Sequence, residues 1–151
     1  MKKRFVWIML ILMLFSYKSI SAYEYHEEIT DIEYLLNQRI EIMNEFLYGY
    51  KDMTSLENKL VKIEAEKLLE NDLDILRKVM DSPTDYELAM GVKVDKILNL
   101  ERVEDYILIN ADLSWQMSGY DGEFNMARNY DIKCVEIDNQ MYLTSLVILN
   151  D

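Results

Sequence analysis

The 151-residue chain has little of what staples, stiffens or activates a protein. It has one cysteine, one proline, one histidine and four glycines. With Cys134 alone, no intramolecular disulfide forms, so packing must hold the core. Zinc sites need clustered His and Cys, and His26 stands far along the chain from Cys134. His26 is also the sole candidate base for a Ser–His–Asp triad. It lies beside Glu27 and Glu28 in a polar stretch, poorly placed to be oriented. No D-x-[DN]-x-[DN]-G calcium loop occurs, Tyr120-Asp121-Gly122-Glu123 being too short, and there is no glycine-rich phosphate loop. The sequence therefore implies no cofactor and no metal.

Positive charge is also scarce. Sixteen Lys and Arg stand against 28 Asp and Glu, a net charge of −12. Nucleic acid is excluded as a partner, because phosphate binding needs clustered cations. Adsorption to an anionic membrane surface is disfavoured for the same reason. Acidity serves solubility in the plainest reading, and a basic protein partner in the sharper one.

The long apolar run lies at the start. Lys2, Lys3 and Arg4 precede uninterrupted apolar residues from Phe5 to Phe15, and the small residues Ser19, Ser21 and Ala22 follow. This is the anatomy of a bacterial-type secretory signal peptide over residues 1–22, with cleavage after Ser21 or Ala22. An uncleaved anchor is the alternative. Eleven helical residues rise only about 16 Å, against a hydrocarbon core of about 30 Å. Export to the envelope or the medium is expected, with no stable membrane span after cleavage. Removal of the segment leaves 12 basic residues against 28 acidic ones. Residues 23–29 read as a flexible lead-in, and 30–151 as a single domain.

Apolar residues recur at helical spacing over residues 30–51, at Ile32, Leu35, Leu36, Met43, Phe46, Leu47 and Tyr50. Glu33, Asn37, Glu41 and Glu45 are expected on the wet side. Thr54-Ser55-Leu56-Glu57 resembles a capping box that opens a second helix running to about Met80. Its stripe is Val61, Ala65, Leu68, Leu69, Leu73, Leu76 and Met80. Asn71 and Asp72 are the expected break within it, since both favour caps over helix interiors. Asp81-Ser82-Pro83-Thr84-Asp85 is a stop.

After Pro83 the period changes from 3.6 to 2. Strands are expected at 88–98, 102–117, 123–137 and 141–149. Ile107, Ile109, Ala111, Leu113, Trp115 and Met117 alternate with Leu108, Asn110, Asp112, Ser114 and Gln116, the pattern of one buried and one wetter face. Gly119-Tyr120-Asp121-Gly122 and Asp138-Asn139-Gln140 are turns. Consecutive strands joined by short turns pair antiparallel. The fold class is therefore α+β, with N-terminal helices over 30–80 packed on a four-stranded antiparallel sheet over 86–149.

The closing segment YDIKCVEIDNQMYLTSLVIL, residues 130–149, resembles the last hairpin of nuclear-transport-factor-2-like and cystatin-like domains. The order of helices and strands over about 30–150 resembles these superfolds too. The resemblance implies a curved sheet with helices in its concavity and a pocket between them. Its members include ketosteroid-isomerase-like enzymes and non-catalytic binding domains of bacterial envelopes. The inhibitory Q-x-V-x-G motif of cystatins is absent, Gln116-Met117-Ser118-Gly119 being the nearest string.

Candidate pocket or partner-face residues are Asn110, Asp112, Ser114 and Gln116, with Trp115 and Tyr130 among the aromatics. Asp112 is the candidate general base if its side of the sheet lines a pocket. Cys134 shares the apolar register of Tyr130 and Ile132, as a small hydrophobe. No catalytic residue is assigned. The first expectation is a non-enzymatic domain that binds an envelope or secreted protein. An isomerase-like enzyme or a carrier with a small-molecule pocket is the second, and an immunity or inhibitor protein for a basic partner is the third.

Overall fold

The computed structural model describes residues 29–49, 52–81 and 87–149. The expected signal segment 1–22, His26, Tyr50 and the Pro83 stop lie outside the described residues. The chain divides into two compact units, Met1–Ile32 and Glu33–Asp151. Of the first, only residues 29–32 are described. They are helical, so residue 29, expected in the lead-in, already belongs to a helix. The described residues from Glu33 on belong to the second unit.

The described helices are α1 (29–48), α2 (Met53–Leu60) and α3 (Glu66–Asp81). Four strands follow: β1 (Leu88–Val103), β2 (Tyr106–Gly119), β3 (Gly122–Ile137) and β4 (Gln140–Leu149). The strands form one antiparallel meander in the order β1-β2-β3-β4. The α+β architecture expected from the change of period is the one observed.

Two-residue turns set the hairpins. Asp138 and Asn139 both adopt positive φ, 52° and 62°, the requirement of a type I′ turn. Gly122, with φ 114°, begins β3. The β1–β2 turn falls at Glu104-Asp105, with Glu104 at φ 56°. β1 thus runs five residues past its expected end at 98, and β2 starts four residues after its expected start at 102. The physical reason lies in β1 itself. Register shifts at Ala89/Gly91, Val94/Lys96 and Ile97/Asn99 each insert a residue. Each insertion inverts the in–out alternation, so the period-2 signal in β1 breaks up.

The break in the second helical stretch lies at 61–65, not at Asn71-Asp72, both of which are inside α3. Val61 and Met80, expected on the buried stripe, are exposed. The start differs as well. Asp52 is the N-cap of α2, and its carboxylate accepts the Thr54 amide at 3.0 Å. Thr54 therefore sits inside the first turn rather than at its cap.

The core lies on one face of the sheet. Val92 and Val94 of β1, Ile107, Ile109, Ala111, Leu113 and Trp115 of β2, and Ile132 and Cys134 of β3 are buried, as is Leu143 of β4. Leu36 and Ile40 of α1, Leu60 of α2, and Leu68, Leu73, Leu76 and Val79 of α3 are buried from the helical side. Full burial of a Leu or Ile side chain stabilises by roughly 1.5–3 kcal/mol.

The polar side of α1 does not simply face water. It lies along the free edge of β1. Asn37 donates from Nδ2 to the Val92 carbonyl at 2.8 Å and accepts the Val92 amide at 3.0 Å. Glu33 accepts the Val94 amide at 3.0 Å, and Asn44 donates to the Ala89 carbonyl at 2.8 Å. The spacing is commensurate. Four helical residues rise about 6 Å, and two strand residues about 6.6 Å. Side chains at Glu33 and Asn37 therefore meet Val94 and Val92 in step, and stand in for a neighbouring strand on an otherwise unpaired edge.

Candidate functional site

The two faces of β2 settle where the candidate residues lie. Asn110, Asp112, Ser114 and Gln116 project from the face opposite the core, and are half-buried or exposed. β3 contributes Asn129 and Asp131 to the same face. Asn110 pairs with Asp131, and Asp112 with Asn129, directly across the two strands. Asn110 Nδ2 donates to Asp131 Oδ1 and to Asn129 Oδ1, each at 2.9 Å. Asn129 Nδ2 donates to Asp112 Oδ1 at 2.9 Å. The Ser114 hydroxyl donates to Asp95 of β1, and Gln116 Nε2 to Glu123 Oε2 at 3.3 Å. Carboxamides and carboxylates alternate across the ladder, so each acid has a neutral donor, and like charges do not sit directly opposite.

Asp112 is thus fixed by Asn129 on the open side of the sheet. The expectation of a base in an enclosed pocket does not match this placement, because a general base needs a substrate held against it with water excluded. A shallow depression of about 270 Å³ does occupy this face, lined by Asn99, Glu101, Leu108, Asn110, Asp131 and Lys133 among others.

Trp115 and Tyr130 are on the other face. Both are buried, with ring centroids 5.7 Å apart and planes tilted by 47°, a favourable aromatic geometry. Neither offers a surface to a partner. The Trp115 Nε1 atom is buried and closes no hydrogen bond among the described residues. Burial raises the Tyr130 hydroxyl above its ordinary pKa, against the opposing charges of Arg128 and Arg39 and the approach of the Trp115 indole.

Cys134 is buried on the apolar register, and burial pushes its thiol up to about 12. A thiol so placed is no nucleophile. Lys133 points the other way and sets its Nζ 3.6 Å from the Tyr106 ring centroid, a cation–π contact. The Tyr106 hydroxyl in turn donates to Glu66 Oε1 at 2.7 Å, a carboxylate contact that raises its pKa.

The sequence reading missed Asn129, Asp131 and Asp95 on the outer face. Their signal was present: Asn129 and Asp131 flank Tyr130 and precede Ile132 in strict alternation. It also missed a buried charge cluster. Arg39 of α1 lies between Asp72 of α3 and Glu64 of the α2–α3 link. Its Nε is 2.9 Å from Glu64 Oε1, and its Nη2 is 2.6 Å from Asp72 Oδ2. Asp72 sits four residues from both Leu68 and Leu76, on the buried stripe of α3. A lone acid in that register was the available clue.

Among the described residues, no group of three or more His, Cys, Asp or Glu is arranged to hold a metal. No helix of the described residues is long and apolar enough to cross a membrane.

No protein-family profile matches the chain, and neither does any curated protein. Solved structures do match. The intermembrane space region of the chloroplast protein ARC6 superposes on 82% of this chain and 97% of its own, with a TM-score of 0.50 and 11% identity. A protein of unknown function from Bacteroides thetaiotaomicron covers 89% of this chain and 98% of its own, with a TM-score of 0.45 and 14% identity. The likeness to the ARC6 region is one of fold alone. Helices followed by an antiparallel sheet agree with the order of the superfolds named above, and neither matched structure is described as nuclear-transport-factor-2-like or cystatin-like.

Proposed function

We propose that this chain is an exported, non-enzymatic domain that binds a protein partner outside the cytoplasm through the open face of its sheet. The observation that carries the reading is the cross-strand ladder of Asn110, Asp131, Asp112 and Asn129 on that face. The ladder fixes its side chains before any partner arrives, which lowers the ordering cost of association. Asp95, Asp112 and Asp131 set three carboxylates in the middle of the face, with Lys93 and Lys96 of β1 beside them, and the whole chain carries −12. A basic surface on the partner is the complement, and electrostatics of this kind mainly accelerate and orient encounter.

Two further points support the reading. The basic and apolar N-terminal residues have signal-peptide anatomy, and the ARC6 region that shares the fold is an intermembrane-space region. Among nuclear-transport-factor-2-like and cystatin-like domains, the counterpart would be a non-catalytic envelope domain rather than an isomerase, since the candidate acid Asp112 faces outward.

The test is charge reversal. Asp112→Lys with Asp131→Lys should abolish capture of a basic protein from the medium or envelope fraction. Glu70→Lys, on the exposed side of α3, should leave capture intact. Capture unchanged by the double reversal, or no capture even at low salt, would overturn the proposal.

A further inference from the structure

Residues 61–65 join α2 to α3 and run along the outer edge of β4. They add one parallel rung to that edge, with Glu64 bridging Leu143. The Leu143 amide donates to the Ile63 carbonyl at 2.8 Å, and the Ala65 amide to the Leu143 carbonyl at 2.9 Å. The exposed Gln140 side chain adds a bond to the Lys62 carbonyl at 2.8 Å. Ile63 is buried, whereas Val61 and Lys62 are exposed.

Between the two backbone bonds, Glu64 turns its side chain fully inward. The charged groups that face it are Arg39 from α1 and Asp72 from α3. Its backbone partners, Leu60 of α2 and Leu143 of β4, bring no charge. Arg39 is committed to Asp72, with Nε donating to Oδ2 at 2.7 Å and Nη2 at 2.6 Å from the same oxygen. Nε also lies 2.9 Å from Glu64 Oε1, yet among the described residues neither Glu64 oxygen receives a well-formed hydrogen bond. Two buried carboxyl groups therefore share one guanidinium. An ionised carboxylate at this depth, with only a shared guanidinium beside it, is strongly unfavourable. A proton on Glu64, shared toward Asp72, removes the excess charge.

We propose that segment 61–65 is a proton-controlled cover on the β4 edge, closed while Glu64 holds its proton and released when the proton leaves. Loss of the proton places a second negative charge beside an arginine already engaged. The protein relieves it at the weakest restraint. α1 and α3 are anchored by rows of buried apolar side chains, whereas 61–65 is a short link with Ile63 as its one buried apolar side chain, held to β4 by one rung and the Gln140 bond. Its outward swing hydrates Glu64 and bares the Leu143 amide and carbonyl. Burial foremost, and then the Asp72 charge, push Glu64 up to about 8 against the pull of Arg39. The closed form is thus most secure below the ordinary carboxylate value and weakens steadily as pH rises toward about 8.

Amide hydrogen exchange on the full chain tests this, read as protection factors at Ala65 and Leu143 from pH 6 to 9.5. Protection should fall about tenfold per pH unit from pH 6 to about pH 8 and level off above it, as one coupled deprotonation requires when the open form titrates at the ordinary carboxylate value. The Ile109 and Ile132 amides should not follow. Glu64→Gln keeps the site neutral and should flatten the profile. In the wild-type chain, the ¹³C shift of the Glu64 carboxyl should titrate at the same midpoint, a readout independent of any variant. Protection indifferent to pH, the same fall in Glu64→Gln, or titration of Glu64 in the ordinary carboxylate range would each overturn the proposal.

Discussion

Replacement of Glu64 by Gln should stabilise the protein, by an amount set by pH. In the native state the Glu64 carboxyl is held up to about 8, against an ordinary value of 4.5. Unfolding returns it to the ordinary value. Between the two, the folded chain keeps a proton that the unfolded chain releases, so stability falls as pH rises. The contribution is complete below the unfolded value and is lost through the interval up to the folded one. At pH 7 the accumulated loss is about 3 kcal/mol, at about 1.4 kcal/mol per pH unit. Gln carries no such linkage. Its amide can donate to Asp72 and face Arg39 with its oxygen, so the cluster keeps its shape. Urea unfolding of both proteins at pH 4.5, 6, 7 and 8 is the assay. Urea slopes of about 1–3 kcal/mol/M turn the pH 7 difference into a midpoint shift of about 1–3 M. The two proteins should nearly coincide at pH 4.5 and diverge steadily above it. A difference that does not vary with pH, or a variant less stable than wild type at pH 7, would refute the reasoning.

Three other outcomes follow from the fold. Asn37→Ala removes both bonds to the Val92 backbone and leaves its amide and carbonyl at a half-covered edge; a loss of about 1–3 kcal/mol is expected in chemical denaturation, with greater self-association as β1 is uncovered. Asp52→Ala deletes the cap of α2 and should cost about 1 kcal/mol, read as a lowered thermal midpoint. Cys134 should resist a disulfide reagent at pH 8 in the native state and react at once in denaturant, because burial both shields the thiol and pushes it up to about 12; rapid native labelling would show that β3 is not packed as described.

What the sequence revealed and what it hid divide along physical lines. β2 was legible because its alternation is unbroken from Ile107 to Trp115, and its hairpin partners sit across tight turns. The candidate face followed directly, since Asn110, Asp112, Ser114 and Gln116 occupy the opposite parity. β1 was blurred because its inserted residues scramble parity in the very strand whose edge must be protected. The helix break at 61–65 carries no glycine or proline. It exists because Ile63 and Ala65 pair with Leu143, some 80 positions away, and no local propensity encodes that. Asp72 looked like a breaker since acids disfavour helix interiors, but Arg39 supplies the partner that makes the site tolerable. Helical periodicity separates polar from apolar faces. It does not say whether the polar face meets water or, as at Glu33, Asn37 and Asn44, the backbone of a strand.

The open sheet face is the central functional claim, and side-chain footprinting tests it most directly. Hydroxyl-radical labelling of the protein alone, and bound to a basic partner captured from the exported fraction, would compare Tyr106, Leu108, Tyr142 and Val147 on the outer face with Ile75 and Met80 on α3. Protection confined to the four sheet residues is the predicted result. Protection of Ile75 and Met80 with the sheet residues still labelled would contradict it and move the binding surface to the helices.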